Sequence, residues 1–228
     1  MQPEIFGDDL VAPKNALARS SYFISNVYTI QLPELLPLVS EIAEELLKAV
    51  KEKTTLNEIY PVVMTDNLYT DVRAEPFLSY VGGTGWNILN SEGYDMDRFN
   101  LRFSEAWVQE HHKHSLMETH VHGGGAQLSG FYFLEAPENC SRVVIHDPRP
   151  GKVQINLPQK DMDMATDSSE MINFKPEPGL LMFVPSWLPH SFGRHASDSP
   201  LKFVHFNLFA EHKQVGPQVC GVSQAEVI

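Results

Sequence analysis

The second half of the chain carries about eight short apolar segments, and this pattern constrains the fold more than any other sequence feature. Turn-forming runs separate the segments, such as Gly123-Gly124-Gly125 and Asp147-Pro148-Arg149-Pro150-Gly151. Short strands with turn signals between them are typical of a β-sandwich or a β-barrel. We therefore expect a mainly β fold, an eight-stranded jelly roll with an N-terminal helix or helices packed on the sheet. The predicted strands lie near residues 101–109, 115–122, 127–135, 142–147, 152–157, 170–174, 179–184 and 201–210.

One of these segments, 127–135, is predicted to be covered by protein on both faces. Side chains alternate between the two faces of a strand, so Leu128 and Tyr132 share one face while Phe131 and Phe133 share the other. Large apolar side chains in both sets indicate that neither face meets solvent.

The first half of the chain is predicted to be a helical and extended lead-in. Residues 37–52 form an amphipathic helix, because apolar residues recur there at spacings of three and four. These residues are Val39, Ile42, Leu46 and Val50. The stretch 72–90 is expected to hold a second short helix and a glycine-rich turn at 82–85.

These features predict a single domain over residues 1–228. Within it, residues 1–98 form the lead-in and residues 99–212 form the jelly-roll core that carries the site.

Composition excludes several classes of protein. The chain has 17 Lys and Arg against 29 Asp and Glu, a formal net charge of −12, whereas nucleic acids and anionic lipids are bound by basic surfaces. The first ten residues show no signal-peptide pattern, no apolar run is long enough for a membrane helix, and two cysteines, Cys140 and Cys220, are too few for a disulfide-rich secreted fold. We expect a cytoplasmic protein with no membrane partner.

The histidines indicate where the chemistry lies. All ten fall between His111 and His212, and histidine is the commonest metal ligand. His120 and His122 are two residues apart at the end of a strand-like run, so they can point to the same face. His190 follows a predicted buried strand and a proline-bounded loop about 70 residues later. Three protein ligands on one side of a metal leave positions open for substrate or dioxygen, whereas a structural site uses four.

Several short motifs around these histidines match a known pattern. They are His120-Val121-His122, Leu128-Ser129-Gly130-Phe131-Tyr132-Phe133-Leu134, Asp147-Pro148-Arg149, Gly179 to Phe183, Pro185-Ser186-Trp187-Leu188-Pro189-His190 and Phe206-Asn207. With them, the stretch from Trp107 to Asn207 resembles the 2-oxoglutarate- and Fe(II)-dependent oxygenase superfamily, and within it a branch of small oxygenases common in marine bacteria and their phages. The resemblance implies a cupin-like double-stranded β-helix, one Fe(II) ion, 2-oxoglutarate as co-substrate, and hydroxylation of a substrate that the motifs do not identify.

Two positions depart from the superfamily's usual pattern. Most members have Asp or Glu where this chain has His122. The resembled branch often shows H-x-H, so the resemblance implies that His120, His122 and His190 hold the metal. Asp147 is the alternative third ligand, although an aspartate before a proline favours a turn. Gly123 stands where the branch usually has proline.

The second carboxylate of 2-oxoglutarate needs a cation, and the resemblance places this cation on the strand after the distal histidine. Lys202, twelve residues after His190, is the first candidate, although the branch more often has Arg one or two positions away. Strand alternation puts Lys202 on the opposite face from His205 and Asn207, and only one face of the strand points into the barrel. Either Lys202 or the pair His205 and Asn207 can therefore line the site.

Other residues complete the predicted co-substrate site. The hydroxyls of Tyr132 and Ser129 lie on opposite faces of one strand, and either could hydrogen-bond a carboxylate. An ordinary core tyrosine is the alternative for Tyr132. Arg194 and Arg149 are reserve cations. The predicted co-substrate residues are Lys202, Tyr132, Ser129 and Asn207, and no catalytic group beyond the metal centre is expected.

Two other functions stay open at this level. Three histidines also suit a cupin-type dioxygenase or isomerase that uses no keto acid, and the jelly roll could be a non-catalytic binding protein. Dependence of O₂ uptake on a keto acid separates the first two functions. We expect a small-molecule or peptide substrate, and the sequence leaves the oligomeric state open, with a homodimer as one option.

Overall fold

The structure is a computed structural model that describes residues 18–155 and 157–213. In this part of the chain it contains ten strands, two α-helices and several short 3-10 helices. The strands are β1 (Tyr28–Gln31), β2 (Val62–Asn67), β3 (Phe99–His111), β4 (Met117–His120), β5 (Ala126–Glu135), β6 (Val143–His146), β7 (Met171–Phe174), β8 (Leu180–Pro185), β9 (His190–Phe192) and β10 (Leu201–His212). The helices are α1 (Leu36–Lys51) and α2 (Glu75–Ser91).

The strands form two antiparallel sheets that face each other. The larger sheet has the order β1-β8-β5-β10-β3-β2, and the smaller one has the order β4-β9-β6-β7. The eight strands from β3 onward are shared equally between the sheets, so the chain repeatedly crosses from one sheet to the other. This arrangement is a double-stranded β-helix, and it confirms the predicted mainly β fold with N-terminal helices on the sheet.

The larger sheet is covered on both faces, as the alternation in segment 127–135 predicts. On β5, Phe131 and Phe133 point into an apolar cluster between the two sheets. Leu128 and Tyr132 point the other way, into a second cluster that the sheet shares with the helices. The residues of the barrel interior and those of the helix-covered face can therefore be told apart by their position along each strand.

Helix α1 covers the outer face of the larger sheet. It begins one residue before the predicted range and ends one residue before the predicted end. Its fully buried residues are Val39, Ile42, Ala43 and Leu47, so the buried stripe includes two of the four predicted positions. Leu46 is half-buried beside this cluster.

Helix α2 corrects the prediction of a glycine-rich turn at 82–85, because all three glycines of that stretch lie inside the helix. Glycine weakens an isolated helix, but here the helix approaches the sheet closely. A Cβ atom on Gly85 would lie 2.7 Å from Leu208 Cδ1 and 2.9 Å from Leu101 Cδ2. Close packing on the sheet thus explains Gly85. At Gly83, an added Cβ atom would have no other atom within 4 Å.

The predicted strand at 152–157 is also wrong. A 3-10 helix occupies Pro150–Gln154 instead, and Ile155 and Leu157 are exposed to solvent. Pro150 is the first residue of this 3-10 helix, a position that favours proline because its missing N–H would have no partner within the helix.

No helix in the described ranges is long and apolar enough to cross a membrane.

The two glycines of α2 give a matched test of this packing. Gly83→Ala should raise the free energy of unfolding by about 0.5–1 kcal/mol, because alanine is the better helix former. Gly85→Ala gains the same propensity but must displace two leucine side chains, at a cost of about 1–3 kcal/mol. Urea denaturation should therefore rank Gly83→Ala above Gly85→Ala, and equal stability of the two variants would contradict the close approach of α2 to the sheet.

Candidate metal centre

Three histidines from separate elements meet at one end of the smaller sheet. His120 is the last residue of β4 and His190 the first residue of β9, and the register of these strands sets the two directly opposite each other. His122 lies two residues beyond β4, where its backbone N–H donates to the carbonyl of Ser186 at 2.8 Å. This bond keeps the chain extended past the strand end, so His120 and His122 point to the same side as predicted.

The spacing of the ring nitrogens suits a single first-row metal ion. One nitrogen from each of the three rings can be chosen so that all lie within 4.8 Å of one another. The Nε2 atoms of His122 and His190 are 3.3 Å apart. Two nitrogens that each lie about 2.1 Å from one metal, at about 90–109° to each other, are about 3.0–3.4 Å apart.

Two of the rings are fixed in the orientation that a metal ligand needs. Nδ1 of His120 donates to the carbonyl oxygen of Glu118 at 2.8 Å, and Nδ1 of His190 donates to that of Leu188 at 2.9 Å. A proton on Nδ1 leaves the lone pair on Nε2, which faces the other rings. Such backbone contacts set the tautomer and orientation of ligating histidines.

Burial keeps His122 and His190 in the neutral form. Desolvation lowers the pKa of His190 to about 4, with smaller effects from its backbone bond and the neighbouring histidines. Desolvation and the nearby His120 lower the pKa of His122 to about 4 as well. A neutral imidazole is the form that binds metal, so protons compete little with a metal ion near pH 7.

The alternative ligand Asp147 lies in a turn, as its position before a proline suggests. Its carboxylate pairs with Arg149 and Lys152 at 2.7 and 2.9 Å, and it also accepts the backbone N–H of Arg149. The Arg149 hydrogen bond is the largest of several effects that hold the pKa of Asp147 well below its usual range. Asp147 is not among the residues whose atoms converge on the three histidines.

The donor set fits a ferrous ion. Imidazole is a suitable ligand for iron, and three ligands on one side leave positions for a chelating co-substrate and for dioxygen. The set also fits zinc or another first-row ion, because nothing in three neutral imidazoles selects iron alone.

Lys202 does not share this site. It points to the helix-covered face of the larger sheet, where its Nζ contacts Glu44 at 2.5 Å and Glu135 at 3.0 Å. Glu110, which is almost fully buried, lies 3.8 Å away. Even-numbered residues at the start of β10 face away from the barrel interior. The prediction that Lys202 reaches the barrel interior is therefore wrong.

The predicted Tyr132 also lies outside the site. Its hydroxyl donates to the backbone carbonyl of Leu32 at 2.7 Å, and its ring contacts Phe77 of α2. This is the core tyrosine of the alternative interpretation.

Ser129 and Asn207 face the barrel interior and contact each other. The Ser129 hydroxyl donates to Asn207 Oδ1 at 2.6 Å. The Asn207 amide in turn donates to the carboxylate of Glu105 at 2.8 Å. Each of these side chains is therefore already hydrogen-bonded to protein partners.

A fourth histidine lies against the three. The His205 ring is 4.8 Å from that of His122 and stacks on Trp107 at 4.5 Å. Complete burial holds the pKa of His205 well below its usual range. Strand alternation groups His205 with Asn207 on one face of β10. Because the helices cover the outer face of the larger sheet, this pair, and not Lys202, faces the barrel interior.

At this level, the inward positions of β10 and β3 carry no Lys or Arg. The inward residues of β10 are Leu201, Phe203, His205 and Asn207, and those opposite on β3 are Glu105, Trp107, Gln109 and His111. The reserve cations are engaged elsewhere, Arg149 with Asp147 and the exposed Arg194 with Nδ1 of His114. The structure thus offers ligands for the metal but, among these strand positions, no cation for a second carboxylate.

A cavity of about 640 Å³ opens beside the metal centre. None of the three histidines lines it, but Ile145 does, and Ile145 pairs directly with His190 across β6 and β9. Leu188, Phe174 and Arg149 form other parts of its wall.

Comparison with known families supports an oxygenase. The family profile described as "Putative 2OG-Fe(II) oxygenase" matches residues 105–207, the range that holds all three histidines. No curated protein sequence matches the chain.

Solved structures share the fold at low sequence identity. AviO1 from Streptomyces viridochromogenes superposes with a TM-score of 0.57 at 10% identity, over 85% of this chain and 92% of that one. A prolyl hydroxylase from Trichoplax adhaerens, solved with a hypoxia inducible factor peptide fragment, gives 0.55 at 10% identity, over 80% and 83%. A Pseudomonas putida prolyl-4-hydroxylase gives 0.53 at 11% identity, over 80% and 92%.

Removal of any one of the three imidazoles should weaken metal binding. We expect His120→Ala, His122→Ala and His190→Ala each to lower Zn(II) or Co(II) affinity by more than about 100-fold, since loss of outer hydrogen-bond partners alone costs 10–100-fold in metal sites. Competition with a chromophoric chelator measures the affinity. His146→Ala is the control, because His146 bonds Thr119 and Ser191 and is not one of the converging residues. If a variant of one of the three histidines bound metal as tightly as this control, that histidine would not be a ligand.

Lys202→Ala should change stability and not co-substrate binding. Loss of the ammonium leaves Glu110 with fewer cationic partners, which should lower the free energy of unfolding by about 1–2 kcal/mol. The affinity of the metal-loaded protein for 2-oxoglutarate should stay within about twofold of wild type, as measured by calorimetry, since a group on the opposite face makes no contact to lose. A clear loss of 2-oxoglutarate affinity would return Lys202 to the site. Lys48→Ala, an exposed lysine of α1, serves as the control.

Proposed function

We propose that this chain, which belongs to the 2-oxoglutarate- and Fe(II)-dependent oxygenases, hydroxylates a small-molecule or peptide substrate at a metal held by His120, His122 and His190. The convergence of these three side chains within the range matched by the family profile is the observation that carries the proposal. The assignment to a branch from marine bacteria and phages stays a prediction, as does a cytoplasmic location.

The residues around the metal centre perform three tasks in this proposal. The three neutral imidazoles hold the ion on one side and leave its other side open. Backbone carbonyls of Glu118 and Leu188 fix the rings of His120 and His190, so the ligand geometry exists before the metal arrives. When bound, the iron and keto acid would supply the oxidative chemistry, with dioxygen as the oxidant. One oxygen atom of O₂ would enter the succinate that forms with loss of CO₂, and the other would enter the hydroxylated substrate.

Aromatic side chains shield the inner side of the metal centre from water. Phe131 lies 5.6 Å from the His190 ring and 4.9 Å from the His205 ring. Phe192 and Phe203 stack behind it at 4.9 Å. A dry wall of this kind limits side reactions of a reactive centre.

The cavity bounded by Ile145 and Leu188 is our proposed location for the substrate. It begins one strand away from His190, and its wall combines apolar residues with Asp147 and Arg149. A mixed wall of this kind suits a substrate with both apolar and polar parts.

A cupin-type enzyme that uses no keto acid is the second candidate. Two observations favour it, namely three histidines without a carboxylate ligand and the lack of Lys or Arg at the inward positions of β10 and β3. A non-catalytic binding protein is the third and has no structural feature in its favour.

The test is turnover of the keto acid. With Fe(II) and ascorbate, the wild-type protein should convert 2-oxoglutarate slowly to succinate even without a substrate, while His190→Ala should not. Succinate is measured by mass spectrometry and O₂ uptake by electrode. A wild-type protein that binds iron but forms no succinate, with O₂ uptake independent of the keto acid, would reject the proposal in favour of the cupin-type enzyme.

A further inference from the structure

We infer that His205 and Trp107 hold the second carboxylate of the keto acid through uncharged hydrogen-bond donors, instead of the cation that the family resemblance implies. This inference rests on the proposed function. It assigns a role to two side chains that are neither metal ligands nor part of the matched histidine motif.

Position is the first argument. Trp107, His205 and Phe131 form one row across β3, β10 and β5, and all three face the barrel interior. The His205 ring is 4.8 Å from the ring of His122. The row therefore lies against the metal centre on the side of the larger sheet, within reach of a small molecule that is bound to the metal.

Unused hydrogen-bonding capacity is the second argument. Nε1 of Trp107 and Nδ1 of His205 are buried and have no hydrogen-bond partner among the described residues. His205 as a whole is only 2% exposed. Buried polar groups in proteins nearly always have partners, so two adjacent exceptions beside an open metal site point to a ligand. Indole N–H is a donor only, which requires that this ligand present an acceptor such as a carboxylate oxygen.

The neighbouring rows exclude other positions for the second carboxylate. Deeper in the barrel, the inward residues of β10 are Leu201 and Phe203, and Phe203 stacks on Phe192. Their partners on β3, His111 and Gln109, bond each other, and the His111 ring packs on Phe192 and Phe203. A carboxylate there would be buried mainly among apolar side chains, which is unfavourable.

The row nearer the barrel mouth is no better suited to a carboxylate. Asn207 and Ser129 bond each other, and Asn207 also bonds the carboxylate of Glu105. Ser129 and Asn207 each already donate to a protein oxygen, and the negative charge of Glu105 repels a second carboxylate. Among these rows of the described structure, the row of Trp107 and His205 combines unpartnered polar nitrogens with a position next to the metal.

The experiment compares two keto acids that differ only at this end. In 2-oxopentanoate a methyl group replaces the second carboxylate of 2-oxoglutarate, while the metal-chelating end is the same. Binding of each to Zn(II)-loaded protein is measured by calorimetry, which requires no turnover. The variants His205→Phe and Trp107→Phe keep an aromatic ring in place and remove the polar nitrogen.

We expect each variant to raise the Kd for 2-oxoglutarate by about tenfold or more, the usual effect of losing one hydrogen bond to a charged group. The Kd for 2-oxopentanoate and the affinity for Zn(II) should stay within about twofold of wild type, since the row contacts neither the chelating end nor the metal. The control is His111→Phe, because His111 is another fully buried inward histidine with a free Nδ1, but it packs on Phe192 and Phe203 away from the metal. This control should bind both keto acids like wild type.

Several results would overturn the inference. The first is an unchanged affinity for 2-oxoglutarate in both variants. The second is an equal loss of affinity for the two keto acids, which would place the row at the chelating end. The third is a loss of Zn(II) affinity, which would make His205 a metal ligand. Failure of the proposed function itself looks different, because the wild-type protein would then not bind 2-oxoglutarate at all.

Discussion

The antiparallel register between β4 and β9 is the constraint on which the candidate site depends. It sets His120 directly opposite His190, and the extended chain after β4 brings His122 to the same point. A slip of one residue would turn His190 outward. Because Phe192 would leave the apolar core with it, the hydrophobic packing of the barrel also maintains the geometry of the metal ligands.

The candidate metal ligands are all uncharged side chains, although the chain as a whole is strongly acidic. The chain carries a formal net charge of −12, yet the converging ligand set contains no carboxylate. Lys202 and Arg149 pair with carboxylates away from the three histidines. A divalent ion held by neutral imidazoles keeps its full positive charge, and such an ion attracts an anionic ligand into its open positions. In the proposed function the keto acid provides that negative charge, so uncharged donors in the barrel wall are sufficient to orient it.

Local sequence patterns predicted much of the fold and the convergence of three histidines, and they failed where distant residues decide. The H-x-H spacing and the alternation on β5 depend only on neighbours along one strand, and both agree with the structure. The glycines of α2 resemble a turn because local propensity does not reveal that Leu208 and Leu101 come close to Gly85. The sequence of β10 alone does not show which face of the strand is covered by a helix, so the prediction that Lys202 lies in the site is wrong.

The sequence by itself determined the β architecture, the position of the three histidines at strand ends, and the argument against nucleic-acid and anionic-lipid partners, because periodicity and composition are properties of the chain alone. Only the tertiary structure decided which face of β10 looks into the barrel. The reason is that α1 and α2 pack on one side of the larger sheet and the smaller sheet packs on the other, which turns Lys202 toward Glu44 and His205 toward His122. The three converging histidines could thus be found from spacing, whereas the residues that surround them depended on how two sheets and two helices meet.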